Sequence, residues 1–368
     1  MPATRGPRLV MSDVAALNFR PMQTTETDLR LFQEAFVANE QPRSLDLLRW
    51  QYFEPPAGKL FVDFAVVEGP APSLAAIYAV FPVTMRVGGQ RALGVQSLDT
   101  LTAVAFRGKG LFTRMARAVY ERCAKEGVDI VYGFPNGNSA HGFFTKLDWK
   151  SHDPMPMMLK PLRAGYAISR ATRGRLRLPK WLDMPLGAGK PRPRSGWELR
   201  PVTEVGPEFD NLWNTFAAAI PFAVERDSEY LRWRLKRPDA RYQVAGLFAG
   251  NRMIGYVVTA MTDKASGSTR AGKIMELISD PAQPGADAFL LRHAVHEMRK
   301  EGCSVVWAWN FDHSPNHAAF RRAGFFTLPP RLVPAELHAG ARSLTTPPSL
   351  AAGERRNWYV SMFDSDTD

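Results

Sequence analysis

The chain has 368 residues, a formal net charge of +11, 45% hydrophobic and 11% aromatic residues, and two cysteines. That is enough apolar material for two ordinary cores. Cys123 and Cys303 form no C-x-x-C pair, so neither a disulfide framework nor a zinc site is expected, and no apolar run reaches membrane-spanning length.

The N-terminal stretch MPATRGPRLVMSDVAALNF is somewhat basic but lacks the apolar core of a secretion signal, so a soluble protein of the reducing cytoplasm is expected. At 47–58, LLRWQYFEPPAG sets Leu-Arg-Trp just before a proline turn. FVDFAVVEG, LAAIYAVFPVTMRVGG and RALGVQSLDTLTAV then predict three successive strands of a meander, with turns at Gly-Pro and Gly-Gly. Next comes AFRGKGLFTRMAR (105–117), where two glycines stand beside two cations and lead into a helical pattern. Apolar residues at 111, 112, 115, 116, 119, 120 and 123 make a 3.6-period stripe. Unsatisfied N–H groups at such a helix start, approachable because glycine has no side chain, suit an anion such as a phosphate. VDIVYGF predicts a strand buried on both faces, completing a βαβ unit with the anion site at the strand's carboxyl end.

Residues 161–195 carry nine cations (Arg163, Arg170, Arg173, Arg175, Arg177, Lys180, Lys190, Arg192, Arg194) against one acid, Asp183, which accounts for most of the net charge. With PLGAGKPRPRSG inside it, the stretch predicts a solvated linker, and contact with an acidic partner or membrane surface is the alternative. Beyond it the chain repeats itself. YLRWRLKRPDA (230–240) echoes 47–58, and WAWNFDHSPNHAAFRRAGF (307–325) echoes VYGFPNGNSAHGFFTKLDW (131–149). The offsets are 183 residues from Trp50 to Trp233 and 176 from Phe144 to Phe320. YQVAGLF, RMIGYVVTAM, GKIMELIS, a helix at 286–301 and CSVVWAW match the first copy's pieces, but the intervening turn, SDPAQPGADA, has no basic glycine loop. The expected layout is a first module at 1–160, a linker at 161–195, a second module at 196–335 and a tail at 336–368. In that tail NWYVSMFDSD alternates like a final strand, and Asp364 and Asp366 are acids available to a sugar or an amine. Trp50, Tyr52 and Trp233 recur at equivalent places, which favours core packing over lining an acceptor cleft.

Which phosphate the turn holds is narrowed by elimination. No G-x-x-x-x-G-K-[ST] string exists, and Gly108 and Gly110 are not followed by a third glycine at the dinucleotide-binding interval. FRGKGLFTRMA does resemble the pyrophosphate loop of the GNAT acyl-CoA N-acyltransferases, [R/Q]-x-x-G-x-[G/A], through Arg107 and Gly110, with Phe112 where Gly or Ala is usual. The family's second signature is answered by Asn138, Ser139, Ala140, Phe143, Phe144, Lys146, Leu147, Asp148 and Trp149, Asp148 replacing a glycine.

The resemblance implies a mixed α/β (α+β) sheet fold with two tandem GNAT modules, the second degenerate. The tandem layout, the SLDT before the loop and the late DSD are similar to bacterial tandem-GNAT proteins encoded near surface-polysaccharide genes. It further implies acetyl-CoA as co-substrate, an amine acceptor such as an amino sugar, and no metal. Arg107, Gly108, Lys109, Gly110, Leu111, Phe112, Thr113 and Asn138 would bind the cofactor, with main-chain groups of Leu101 and Thr102 taking the pantetheine arm. Asp99 would be the general base. Phe144 and Phe320 stand where a tyrosine commonly protonates the thiolate, leaving water or His141 for that task. A non-catalytic CoA-binding regulator, and an aminoacyl-transferring relative using charged transfer RNA, are the alternatives; only the basic linker speaks for nucleic acid.

Overall fold

The computed structural model describes residues 17–365 except 173, 174, 177, 180, 181, 188, 263–268, 330, 331, 334 and 335. The first part of the chain forms β1 (Asn18–Pro21), α1 (Glu26–Ala38), α2 (Leu45–Tyr52), β2 (Phe61–Val67), β3 (Ser73–Val87), β4 (Gln90–Ser97), β5 (Leu101–Thr102), α3 (Leu111–Lys125), β6 (Val128–Gly133), α4 (Gly137–Lys146) and β7 (Lys150–Ser151). There follow β8 (Met157–Pro161), α5 (Ala164–Ala171), β9 (Trp197–Pro201), α6 (Glu208–Phe216), β10 (Ala223–Val224), α7 (Ser228–Arg234), β11 (Tyr242–Ala249), β12 (Arg252–Met261), β13 (Ala271–Ser279), α8 (Ala286–Lys300), β14 (Val305–Trp309), α9 (His317–Arg322), β15 (Phe326–Thr327) and β16 (Gly340–Ser343).

These elements sort into two compact units that interleave along the chain. One comprises residues up to 85, 92–151 and 338–353; the other comprises 86–91, 152–337 and 354 onward. The first unit's sheet runs β1-β2-β3-β4-β6-β16-β7, and the second unit's runs β9-β11-β12-β13-β14-β8-β15. Position by position the two orders correspond. In each, an antiparallel meander leads to one parallel pair, β4 with β6 and β13 with β14. A helix makes the crossover, α3 or α8, as a parallel connection requires. The slot beyond the parallel pair is filled from the other end of the sequence: β16 lies antiparallel to β6 and β7, and β8 lies antiparallel to β14 and β15. In place of the linear boundaries expected at 160, 195 and 335, the division is reciprocal.

The local predictions are met for physical reasons that the burial pattern makes explicit. In α3 the stripe Leu111, Met115, Ala116, Val119, Tyr120 and Cys123 is buried, and Arg122 and Lys125 occupy the last turn, where cations complement the helix dipole. Those residues join Tyr78, Val95, Val131, Phe143 and Trp149 in the first unit's core. The second core gathers Ile254, Val257, Leu277, Phe289, Leu290, Val306 and Phe320. Trp50, Tyr52 and Trp233 are buried within their own units.

Two expectations are corrected. Part of the basic 161–195 stretch is folded: α5 lies within it, and Asp183 accepts from Arg163 Nε (2.5 Å) and the Gly165 N–H (2.7 Å). Arg173, Arg177 and Lys180, like the N-terminal 1–16, lie outside the described residues. Among the described residues the stretch from 357 to 365 makes no strand. Trp358 forms a single bridge to Phe222, and Met362–Asp364 is a 3-10 turn closed by a Ser361–Asp364 capping box. Asp364 is buried against Arg226 (2.7 Å), which also pairs with Glu276 (2.7 Å), so it serves packing and not an external amine. Asp366 lies outside the described residues.

Candidate functional site

In the first unit β4 and β6 run in parallel from Leu93↔Val128 to Ser97↔Gly133 and then part. Past Ser97 the chain turns back to β3, where β5 pairs Leu101↔Ile77 and Thr102↔Ala76, while β6 continues through Phe134 and Pro135 into α4. The two parallel strands therefore stop pairing at their carboxyl ends, the place where α/β folds take ligands.

The glycine turn follows β5 and leads into α3. Gly108 (φ 76°) and Gly110 (φ 77°) adopt the left-handed conformation, and Gly110 caps α3. A Cβ added at either glycine would meet nothing within 4 Å. Such alternation of backbone conformation turns successive N–H groups toward one concavity. Among the described residues, none accepts a hydrogen bond from the N–H of Gly108, Lys109, Gly110, Leu111, Phe112 or Thr113. The α3 first turn contains no acid to neutralise this end. Arg107 donates to the Thr102 carbonyl (3.2 Å), which ties the loop to β5 and takes up one of the main-chain groups expected to meet the pantetheine arm. Lys109 is the informative cation. Its ammonium is shut off from solvent 5.2 Å from the centroid of the Phe106 ring, and no described group accepts from it. A buried unpaired charge is costly, so this site fits an anion.

Phe112 departs from the small residue expected at its place, and the fold shows how it is accommodated. Its ring packs against Tyr78 (5.8 Å between centroids) and edge-on to Phe143 (5.1 Å). On α4 a Cβ at Gly142 would come 2.7 Å from the Phe112 ring, so the glycine there makes the room that the loop's glycine or alanine otherwise leaves. Phe143 packs on Trp149 (4.6 Å), and Phe144 is partly buried against the core.

Asp99, expected as the base, is 9% exposed just beyond β4. Its Oδ1 accepts from Arg43 Nε (3.3 Å) and Nη2 (3.2 Å), and its Oδ2 accepts from Gln51 Nε2 (2.8 Å) and the Tyr52 hydroxyl (2.9 Å). A carboxylate has about four acceptor sites. All are occupied, which makes Asp99 a clamp joining the β4 end to α2 and the α1–α2 corner, and leaves no lone pair for an incoming ammonium. His141 is exposed on α4, and no hydrogen bond or ring contact joins it to Asp99 or the glycine loop among the described residues. Asn138 sits in the first turn of α4, its N–H held by the Asn136 cap (3.1 Å).

Sequence reasoning missed a buried hydroxyl chain that begins where the strands part. Tyr78 contacts Ser97 Oγ (3.0 Å) and the Tyr120 hydroxyl (2.5 Å), and Trp149 Nε1 donates to Tyr120 (3.1 Å). Burial pushes both phenols above their ordinary values, so they keep their protons. It also missed Arg43 and Gln51, whose link to Asp99 crosses elements with no periodic relation.

The fold is that of the GNAT N-acyltransferases, and residues 18–151 match the acetyltransferase (GNAT) domain family. Among solved structures the chain is similar to a GCN5-related N-acetyltransferase from Anabaena variabilis, at 11% identity and a TM-score of 0.61 over 91% of this chain and 75% of that one. It is also similar to Saccharomyces cerevisiae N-myristoyltransferase with bound myristoyl-CoA, at 11% identity and 0.60 over 92% and 84%. A probable N-acyltransferase from Enterococcus faecalis gives 12% identity and 0.56 over 89% and 73%. No curated protein sequence matches the chain. Among the described residues no helix is long and apolar enough to cross a membrane.

Proposed function

We propose that the protein is an acyl-CoA-dependent N-acyltransferase whose first unit binds acetyl-CoA and transfers its acetyl group to an amine of a small molecule, an amino sugar being the first to test. The observation that carries this is the run of six unclaimed amides from Gly108 to Thr113 beside the unpaired Lys109 ammonium. In this reading those amides, the α3 N-terminus and Lys109 hold the pyrophosphate, Arg107 braces the loop, and Asn138 lies on the opposing helix. Among the described residues the second unit's crossover turn, 280–286, has no cation, which supports a tandem protein with one cofactor site. When bound, the thioester supplies the acyl group and a good leaving group. The chain's own task is to hold the diphosphate, keep the α1–α2 corner fixed through Asp99, and let water take the ammonium proton. A cytoplasmic location accords with two buried cysteine thiols.

Calorimetric titration with acetyl-CoA is expected to give one site per chain, and absence of saturable binding at millimolar ligand overturns the reading. A CoA-binding protein without turnover is the second reading, motivated by the fully engaged Asp99 and by Phe144. Thiol release with glucosamine, spermidine or a lysine peptide as acceptor removes that alternative, and its absence with all acceptors supports it.

A further inference from the structure

Acyl transfer leaves a thiolate that must gain a proton, and α4 offers Phe144 where a hydroxyl is the usual donor. The sheet supplies another group at the same end. Gly340 of β16 pairs with Gly133, the residue at which β4 and β6 last pair, so the residues just before Gly340 run past the carboxyl end of β6. The backbone N–H of His338 donates to the Pro135 carbonyl (2.9 Å), fixing the chain beside the turn that opens α4. Residues two apart on an extended segment share a face. For Gly340 that face is the α4 face, because an added Cβ would lie 2.7 Å from the Phe144 ring. The half-buried His338 imidazole stands accordingly against Phe144, edge to face, with centroids 6.1 Å apart at 75°.

Resting on the transferase reading above, we infer that His338, carried into the first unit's sheet by the C-terminal segment 338–353, is the proton donor to the departing thiolate. The step balances. The amine nitrogen forms its bond to the acyl carbon and gives up a proton to water; the carbon–sulfur bond breaks; the imidazolium passes its proton to sulfur and is recharged from solvent. An imidazolium with an ordinary value near 6.5 gives its proton downhill to a thiolate whose acid lies near 8.5. Glycine at 340 has a defined part, since any larger residue would displace Phe144 and the helix beneath the imidazole.

In the full-length protein H338A is expected to keep its acetyl-CoA affinity within about twofold and lose about a hundredfold in kcat with the amine that turns over best, in the range that positioned proton transfer provides. Added imidazole should restore at least tenfold, and H338Q, which keeps bulk without the proton, should show the same loss. In the unaltered protein the His338 imidazole resonances should move on addition of coenzyme A. Unchanged kcat in H338A or H338Q, a loss that imidazole does not restore, or unmoved resonances each overturn the assignment. No turnover by the unaltered protein with any amine overturns the transferase reading and this inference together, whereas turnover that survives H338A overturns this inference alone.

Discussion

The two crossover turns are built on one plan and differ in how many of their amides find an acceptor within the turn. Both end in a left-handed glycine capping the helix, Gly110 before α3 and Gly285 before α8. In the second unit the turn takes up four of its own donors. Ala282 donates to Asp280 Oδ1 (2.8 Å), Gln283 to the Asp280 carbonyl (2.9 Å), Ala286 to the Gln283 carbonyl (3.1 Å) and Ala288 to Asp287 Oδ1 (2.6 Å), while Pro281 and Pro284 have no N–H at all. Asp287 already supplies negative charge to the α8 N-terminus. In the first unit no acid stands in that place and the amides wait beside a buried cation. Two turns of one local shape thus differ in how far their donors are satisfied from within, the second by the Asp280 and Asp287 side chains together with the Asp280 and Gln283 carbonyls.

The comparison can be broken most sharply at the two glycines. Gly110→Val should abolish acetyl-CoA binding in calorimetry, at least a hundredfold, because its side chain enters the open space above the loop. Gly285→Val should leave binding unchanged and lower the urea-unfolding free energy by at least about 1–2 kcal/mol, the strain of a left-handed residue with a side chain. Equal effects on binding at both positions would erase the distinction drawn between the turns. Next in size, Lys109→Met should weaken acetyl-CoA roughly tenfold, a charge-assisted contact's worth, while leaving thermal stability equal or higher because an unpaired buried ammonium is removed. A drop in stability with unchanged affinity would show the cation to be structural. Smallest is Gly142→Ala, expected to cost about 1–3 kcal/mol by crowding Phe112, with most of that cost absent in a Phe112→Ala background. Additive losses in the double variant would mean the two positions are not coupled.

What could be read without a structure was local. The α3 stripe, the meander strands, the glycine turn and the echo between 131–149 and 307–325 depend on neighbours a few residues apart, and periodicity and turn chemistry record such relations directly. The run of unclaimed amides was legible for the same reason, since it is built of consecutive residues. Asp99 was found but its role was not. The donors that fill it come from Arg43, Gln51 and Tyr52, and nothing in the spacing between α1, α2 and β4 announces that they converge. Phe112 stood out as a departure, and its partner Gly142 was invisible until α3 and α4 were seen to touch.

The sequence by itself determined that there are two cores, that a meander leads into the α3 crossover, and that one turn of the pair is rich in glycine and cations while the other is not, because those properties follow from side-chain order and backbone allowance over short spans. Only the tertiary structure decided that β8 and β16 change places between the sheets, that Asp99 is a saturated clamp, and that His338 stands beside Phe144. Each of these is a meeting of segments far apart in the chain, set by which sheet edge is open to be paired and which face is left to bury, and a linear reading contains no term for either.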